Sequence, residues 1–500
     1  MFKNIKIATK DTFVYSLGNI STKIIGLVLL PLYTDKLSVA EYGVLGTVEI
    51  TIQVLIAAFS FSLQQALSRW YWDKRYKDKQ KSIFFTTLIA TSIGILSMIL
   101  LLLPFSNKLS LALLDSTEYS YLFKIMLISA GFQILSRLML ILMRLQRKPL
   151  LYSFSNIFKL IITLGLTIYF IVGLKHGVEG IVEAQIIGFF FMLLINVKYL
   201  INNIYLSFER AILKEMLHFS YPLAISAVGG VLLTVTDKYA VRYIGGMEDM
   251  GLYNLGFKVA NVLKVFVINS VFSAIGPLRY KMMDRPDNKR FYSKLMTYTT
   301  YGFIILLLGL SLFSKEAIRV LATNPDYWNA YQIVPILCFA QLFELLRRNA
   351  NFGLIVEKKT KIISGVMISI SILNIGLNIL FITYLGTIGA AIALLVAQII
   401  FFTLIYKFSQ KYFYIPYEIK KVFLMVLLAL IIVTSSFLWI NSMYLIPRLI
   451  IKSMLIILFP FILYFFKFYE QVELYRIKGA WQKWKNPKKW GRNLKKIKIK

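Results

Sequence analysis

The sequence predicts an all-α integral membrane protein of about 14 transmembrane helices, arranged as two parallel six-helix lobes plus two extra C-terminal helices. Three observations lead there. Of 500 residues, 58% are hydrophobic and only 16% charged, with a mean hydropathy of +0.68, whereas soluble domains run near a quarter charged. Apolar segments of roughly 20 residues, the length that crosses a bilayer core of about 30 Å, recur between short charged interruptions. Short motifs of the first half also return, in order, in the second.

In chain order the expected spans are 11–33, 41–66, 83–105, 119–143, 150–172, 178–197 and 217–236, then 251–276, 295–313, 328–346, 362–384, 387–406, 422–441 and 445–466. An even number places both termini on one side. Under that threading, 42 of the 57 Lys and Arg residues fall at the termini and the loops of that side, which the positive-inside rule makes cytoplasmic. The same bias explains most of the net charge of +33 without nucleic acid. Asn19, Thr22 and Lys23 interrupt the first apolar segment, so it reads as a retained helix rather than a cleaved signal. No loop is long enough for a folded soluble domain, which leaves all chemistry to the bundle.

Thr34-Asp35-Lys36 after the first span is echoed by Thr236-Asp237-Lys238 after the seventh, and Glu41-Tyr42-Gly43 by Asp249-Met250-Gly251. Gly177 and Gly180 lead into Ala184-Gln185-Ile186-Ile187 as Gly386 and Gly389 lead into Ala397-Gln398-Ile399-Ile400. The offsets, 202 to 213 residues, define halves of six spans, and six being even makes them parallel repeats about an axis along the membrane normal. The expected units are residues 1–205 and 206–410 for the two lobes, 411–468 for helices thirteen and fourteen, and 469–500 for a basic tail. Halves of this kind enclose a site and rock around it, as secondary transporters do.

A charge near mid-membrane is costly and marks a functional candidate. Lys23, Glu49, Arg137, Lys159, Lys258, Lys264 and Glu344 qualify. Tyr15, Asn19 and Lys23 share one face of helix one; Asn156 and Lys159 share a face of helix five; Asn254, Lys258, Asn261 and Lys264 line a broader face of helix eight. Five bases against two acids leave a net positive interior that would attract an anion, with phosphate the favoured head group. The expected substrate-binding set is therefore Lys23, Lys159, Lys258, Lys264, Asn19, Tyr15, Asn254 and Asn261. Glu49, Glu344 and Asp237 are the ion-coupling candidates, for H+ or Na+. A structural role competes throughout: Lys23 or Lys159 could simply pair with Glu49, and Arg137 and Arg348 could snorkel to the cytoplasmic interface.

One cysteine, Cys338, and two histidines, His176 and His218, exclude a disulfide framework or a zinc cluster. No phosphate-binding Gly-x-x-x-x-Gly-Lys loop, Gly-x-Ser-x-Gly elbow or His-Glu-x-x-His pair occurs, so the expectation is a transporter with no catalytic residue, metal or cofactor. In the tail, Ile477, Trp481 and Trp484 recur amid lysines and read as a short helix on an anionic membrane surface.

The segment from Lys23 to Gly46 resembles the opening signature of the bacterial polysaccharide-transport family, the Wzx-type flippases of lipid-linked oligosaccharides. A second signature runs from Tyr221-Pro222-Leu223 through Thr236-Asp237-Lys238 to Gly251-Leu252-Tyr253. Lys238 stands where that family more usually has Arg, and so does Lys23, which keeps charge but loses bidentate phosphate geometry. The resemblance spans essentially the whole chain and implies the superfamily of multidrug, oligosaccharidyl-lipid and polysaccharide exporters. It implies a substrate as well: an oligosaccharide on undecaprenyl pyrophosphate, turned from the cytoplasmic to the outer leaflet of the bacterial inner membrane for O-antigen, capsule or exopolysaccharide assembly. Glycan polymerase and glycosyltransferase partners are family expectations. A multidrug or cation extruder of the same fold, or a membrane glycan polymerase or ligase, are the alternatives.

Overall fold

The structure, a computed structural model, describes residue 26, residues 28–283 and residues 285–484. Tyr15, Asn19 and Lys23, and the tail lysines beyond Trp484, lie outside the described residues. Among the described residues all regular structure is helical, and eleven helices are long and apolar enough to cross a membrane. The chain is a multi-pass membrane protein.

The first half runs through α1 (Leu30–Lys36), α2 (Val39–Phe59), α3 (Leu63–Trp70), α4 (Gln80–Leu102), α5 (Ser106–Leu114), α6 (Ser120–Leu145), α7 (Pro149–Ile168), α8 (Gly177–Ile195) and α9 (Val197–Asn202). The second half holds α10 (Arg210–Leu263), α11 (Asn269–Lys281), α12 (Asn288–Leu312), α13 (Ser314–Leu321), α14 (Ile333–Val356) and α15 (Thr360–Tyr412). After these come α16 (Ile419–Leu438), α17 (Leu445–Phe465) and α18 (Gln471–Trp484).

Two of these helices are broken rods. α10 leaves helical geometry at Gly246 (φ 90°, ψ −172°) and α15 at Gly386 (φ 54°, ψ −135°), positive-φ conformations that glycine adopts without the Cβ penalty. The breaks fall where the apolar pattern changes from span seven to eight and from eleven to twelve. α2 begins on a reciprocal cap: Ser38 Oγ accepts from the Glu41 amide at 3.2 Å while the Ser38 amide donates to Glu41 Oε2 at 2.7 Å.

The echoed motifs occupy equivalent places. Gly177 and Gly386 both stand at φ +54°, and a Cβ would lie 3.8 Å from Glu41 Oε1 at the first and 3.7 Å from Asp249 Oδ2 at the second. Gly43 and Gly251 meet reciprocally where α2 crosses the second rod of α10. A Cβ on Gly43 would fall 1.9 Å from the Met247 carbonyl oxygen, and one on Gly251 2.1 Å from that of Val39. Each glycine thus lies against the carbonyl four residues before its echo, the pattern a local two-fold produces. Inside lipid, apolar faces gain nothing by leaving lipid for each other, so close approach through small residues is what binds helices.

Hydrogen bonds sort the helix ends into two faces. On one, the Tyr327 hydroxyl donates to the carbonyls of Leu37 and Ser38 at 3.0 and 2.8 Å, and Arg242 pairs with Asp115 at 2.6 Å. On the other, Lys79 meets Glu209 at 2.9 Å, Gln146 bridges Tyr71 and Asn203, and Lys294 gathers Glu418, Glu470 and Glu473. The Gly43 and Gly251 crossing belongs toward the first face.

Candidate functional site

Among the described residues, polar side chains inside the bundle line a larger and a smaller cavity and form a bridge between the halves. The larger cavity, about 420 Å³, lies in the first half between α6 and α7, with Gln64 of α3 and Phe189 of α8 completing its wall. Helical spacing puts Gln133, Arg137 and Arg144 on one face of α6 and Tyr152, Asn156 and Lys159 on one face of α7, and all six line it. Arg144 donates to the Tyr152 hydroxyl and stacks over its ring, 4.7 Å from the centroid. The Lys159 ammonium stands 4.3 Å from the centre of the Phe189 ring. Among the described residues, Arg137, Arg144 and Lys159 have no carboxylate within ion-pair distance.

The smaller cavity, about 80 Å³, belongs to the second half and is lined by Thr234, Asp237, Asn261, Lys264, Gln341, Glu344 and Gln398. Lys264 opens a wide turn, Lys264–Ile268, that interrupts the helix, a feature frequent at functional sites. Its ammonium pairs with Glu344 at 2.9 Å. The other Glu344 oxygen takes two donors from Arg348, at 2.7 and 3.0 Å, so this carboxylate serves two cations. Asp237 accepts the Tyr253 hydroxyl at 2.5 Å.

The bridge joins the halves: Lys258 of α10 donates to Glu49 of α2 at 2.9 Å, with the Tyr42 ring 5.1 Å from the ammonium. Thr51 and Tyr239 bond beside it at 2.9 Å. The partner of Glu49 among the described residues is therefore Lys258, where the sequence offered Lys23 or Lys159. Asn254 is engaged as well, its Oδ1 accepting from Lys238 at 3.2 Å.

The structure thus separates the expected binding residues into three groups. Lys159 faces the larger cavity, Lys264 and Asn261 the smaller one, and Lys258 and Asn254 the contact between α2 and α10. Sequence reasoning left Arg137 open between a functional charge and a snorkelling one; it lines the larger cavity together with Arg144, which the span limits place in a loop. It also passed over Arg448 and Lys452, although both fall inside the span read as 445–466. These two converge on Glu316 of α13, at 2.7 and 3.0 Å, and the Lys452 side chain is 0% exposed. Their charge within an apolar run was the available signal. No group of three His, Cys, Asp or Glu among the described residues could hold a metal ion.

Comparison with known proteins agrees with this architecture. Residues 8–283 match the family described as polysaccharide biosynthesis protein. A Haemophilus influenzae protein described as Lsg locus putative protein 1 is 23% identical over 308 residues, 59% of this chain and 71% of its own. The lipid II flippase MurJ, in an inward closed conformation, superposes with a TM-score of 0.70 at 18% identity, over 90% of this chain and 99% of that one. An inward-facing multidrug resistance MATE family transporter of the MOP superfamily reaches 0.64 at 15% identity, over 79% and 94%. At such identities the likeness is one of fold.

Proposed function

This chain belongs to the polysaccharide biosynthesis protein family, and from that premise we propose that it flips undecaprenyl-pyrophosphate-linked oligosaccharide from the cytoplasmic to the outer leaflet of the bacterial inner membrane. The product would feed O-antigen, capsule or exopolysaccharide assembly. In this reading fourteen spans place both termini in the cytoplasm, and two lobes, residues 1–205 and 206–410, rock against each other. Glycan and pyrophosphate enter between the lobes while the polyprenyl chain stays in lipid, near α16 and α17.

The observation that carries alternating access is the reciprocal crossing of α2 and α10. Gly43 and Gly251 bring two backbones into contact near one face, and the Glu49 to Lys258 bridge fastens the same pair of helices farther along. The larger cavity lies toward the opposite ends of α6 and α7, where Arg144 meets Tyr152. Two lobes pinned near one face, with the larger cavity of the first lobe toward the other, would pivot about the crossing. In the larger cavity Lys159 meets the pyrophosphate. In the smaller one Asp237 and Glu344 remain the groups for H+ or Na+ coupling.

The test is made on a deletion strain, with an impermeant glycan probe applied to intact spheroplasts. Accumulation of lipid-linked oligosaccharide on the inner leaflet, reversed by the intact gene, is the expected result. Accumulation already on the outer leaflet would transfer the chain to polymerisation or ligation. Normal glycan export together with lost drug resistance would make it an extruder.

A further inference from the structure

We infer that an apolar groove between α4, α6 and α8 holds an acyl chain of an anionic phospholipid, whose phosphate is met by Lys81 and Lys198. This site lies outside both polar cavities and stands independently of the flippase reading.

The groove encloses about 250 Å³. Phe84 and Leu88 of α4, Phe132 and Met139 of α6, and Phe190 and Leu194 of α8 are among its walls, and every residue lining it is apolar. Phe84 and Met139 are buried, whereas Phe190 and Leu194 are half-exposed, so the groove opens at the surface of the bundle. α6 is the partition: Arg137 and Arg144 line the larger polar cavity, while Phe132 and Met139 on another face line the groove. Adjacent residues of α8 divide likewise, Phe189 to the cavity and Phe190 to the groove. Water finds no polar partner in such a hollow, and a hydrocarbon chain restores the dispersion contacts that a void forfeits.

Depth and mouth fit one leaflet. Phe132 lies about 20 Å along α6 from its end at Leu145, at 1.5 Å rise per residue, against about 15 Å for half of the hydrocarbon core. A chain entering from the face of Lys79 and Glu209 therefore spans its own leaflet inside the groove. At the mouth, Lys81 lies three residues before Phe84 on the same face of α4, and Lys198 sits between the lining residues Val197 and Leu200. Both lysines are exposed, and neither pairs with a carboxylate among the described residues. Their neighbour Lys79 differs, being held by Glu209.

The mouth is held in place by polar ties. Gln146 donates to the Tyr71 hydroxyl at 2.8 Å and accepts from the Tyr199 hydroxyl at 2.9 Å, which fixes α9 to the end of α6. Just beyond, Ile201, Tyr205, Leu206 and Phe208 are exposed, the side chains of a segment lying among lipid head groups. At that level a lysine rests its stem on apolar surface and offers its ammonium to phosphate.

The test uses the purified full-length chain in phosphatidylcholine proteoliposomes holding a small fraction of phosphatidylglycerol with a photoreactive diazirine in its acyl chain. Cross-links mapped by peptide mass spectrometry are expected at residues 84–88, 132–139 and 190–200, several-fold above those on α16 and α17, whose apolar side chains are exposed as well. Lys81→Gln with Lys198→Gln should cut the groove signal at least about fivefold. Lys81→Arg with Lys198→Arg should retain it, which separates charge from folding. Photoreactive phosphatidylcholine should label the groove weakly and equally in parent and Gln variant. Equal labelling of the groove and of α16 and α17, or a groove signal indifferent to head-group charge, would overturn the proposal. So would displacement of the photolipid by excess undecaprenyl phosphate but not by excess phosphatidylglycerol, which would give the groove to an isoprenoid chain.

Discussion

The two halves of the molecule share a backbone plan and differ in how they treat charge. Gly177 and Gly386 adopt the same φ beside an acid from the echoed motif, and Gly43 and Gly251 pack each against the other's helix. Yet Arg144 and Lys159 in the first half rest on neutral groups, while Lys258 and Lys264 in the second are matched to Glu49 and Glu344. Counting intramembrane bases therefore overstates the cationic site. A paired lysine holds helices together, and an unpaired one is available to a ligand.

The shared plan is the easiest part to break. Gly43→Ala and Gly251→Ala each drive a Cβ into a backbone carbonyl, at 1.9 and 2.1 Å, where no side chain can turn aside. Overpacking of this kind costs about 3 kcal/mol or more when backbone must shift. Both variants should lose transport and melt earlier in detergent, and by similar amounts, because the contact is reciprocal. A large effect from one and none from the other would deny the crossing its two-fold character.

The difference in charge partnership sets the next contrast. Glu344→Gln leaves Lys264 and Arg348 without their carboxylate in a buried site, a loss of roughly 3 kcal/mol that should lower the melting temperature. Arg137→Gln removes a cation with no acid partner among the described residues, so stability should hold or rise while transport falls. Thermal melts of the two variants, read beside glycan-lipid flipping, check this. Equal destabilisation would mean that Arg137 is as structurally committed as Lys264.

Composition and periodicity made the membrane architecture legible, and the echoes at residues 41 and 249 and at 177 and 386 pointed to positions that prove equivalent. Partners were not legible. Lys258 reads as a binding residue until α10 is laid against α2, because nothing in a linear chain places it 2.9 Å from Glu49. Arg144 was assigned to a loop because an arginine near Arg147 and Lys148 looks like a span boundary, yet α6 continues to Leu145. Arg448 and Lys452 were readable as intramembrane charges, but their shared acid, Glu316, sits on a short helix far away in sequence.

Glu316 offers a smaller test, outside both cavities. α16 and α17 pack on α12, and Glu316 of α13, the short helix that follows α12, ties down Arg448 and Lys452. Glu316→Gln should loosen α17 and reduce thermal stability by about 2 kcal/mol, below the full cost of a broken buried pair because one amide oxygen still accepts. Pyrophosphate affinity at the distant α6 and α7 cavity should stay unchanged. A fall in that affinity would show that the accessory helices shape the binding lobe.

The least effect is expected at the opposite end of the same helices, where solvent screens the charges. Burial alone would raise the Glu418 carboxyl, but hydrogen bonds from Lys294, Thr297 and Lys421 outweigh it and hold it below its ordinary value. Glu473 is lowered likewise: burial raises it, and the Tyr298 hydroxyl, a backbone amide and Lys294 more than compensate. A carboxyl depressed on folding adds stability above its unfolded value, near 4.3 for Glu, and that stability is lost as pH falls through the folded value. Between about pH 6 and 8 the cluster should therefore be indifferent to pH, since both carboxyls stay ionised. Below about pH 4 the ties from Lys294 should weaken, and hydrogen exchange in residues 466–475 should quicken. Lys294→Met should reduce that acid response, because Lys294 is the one α12 cation shared by both glutamates, while the Thr297 and Tyr298 hydroxyls keep their bonds to Glu418 and Glu473. Exchange that quickens equally in Lys294→Met would assign the response to groups other than the Lys294 ion pairs.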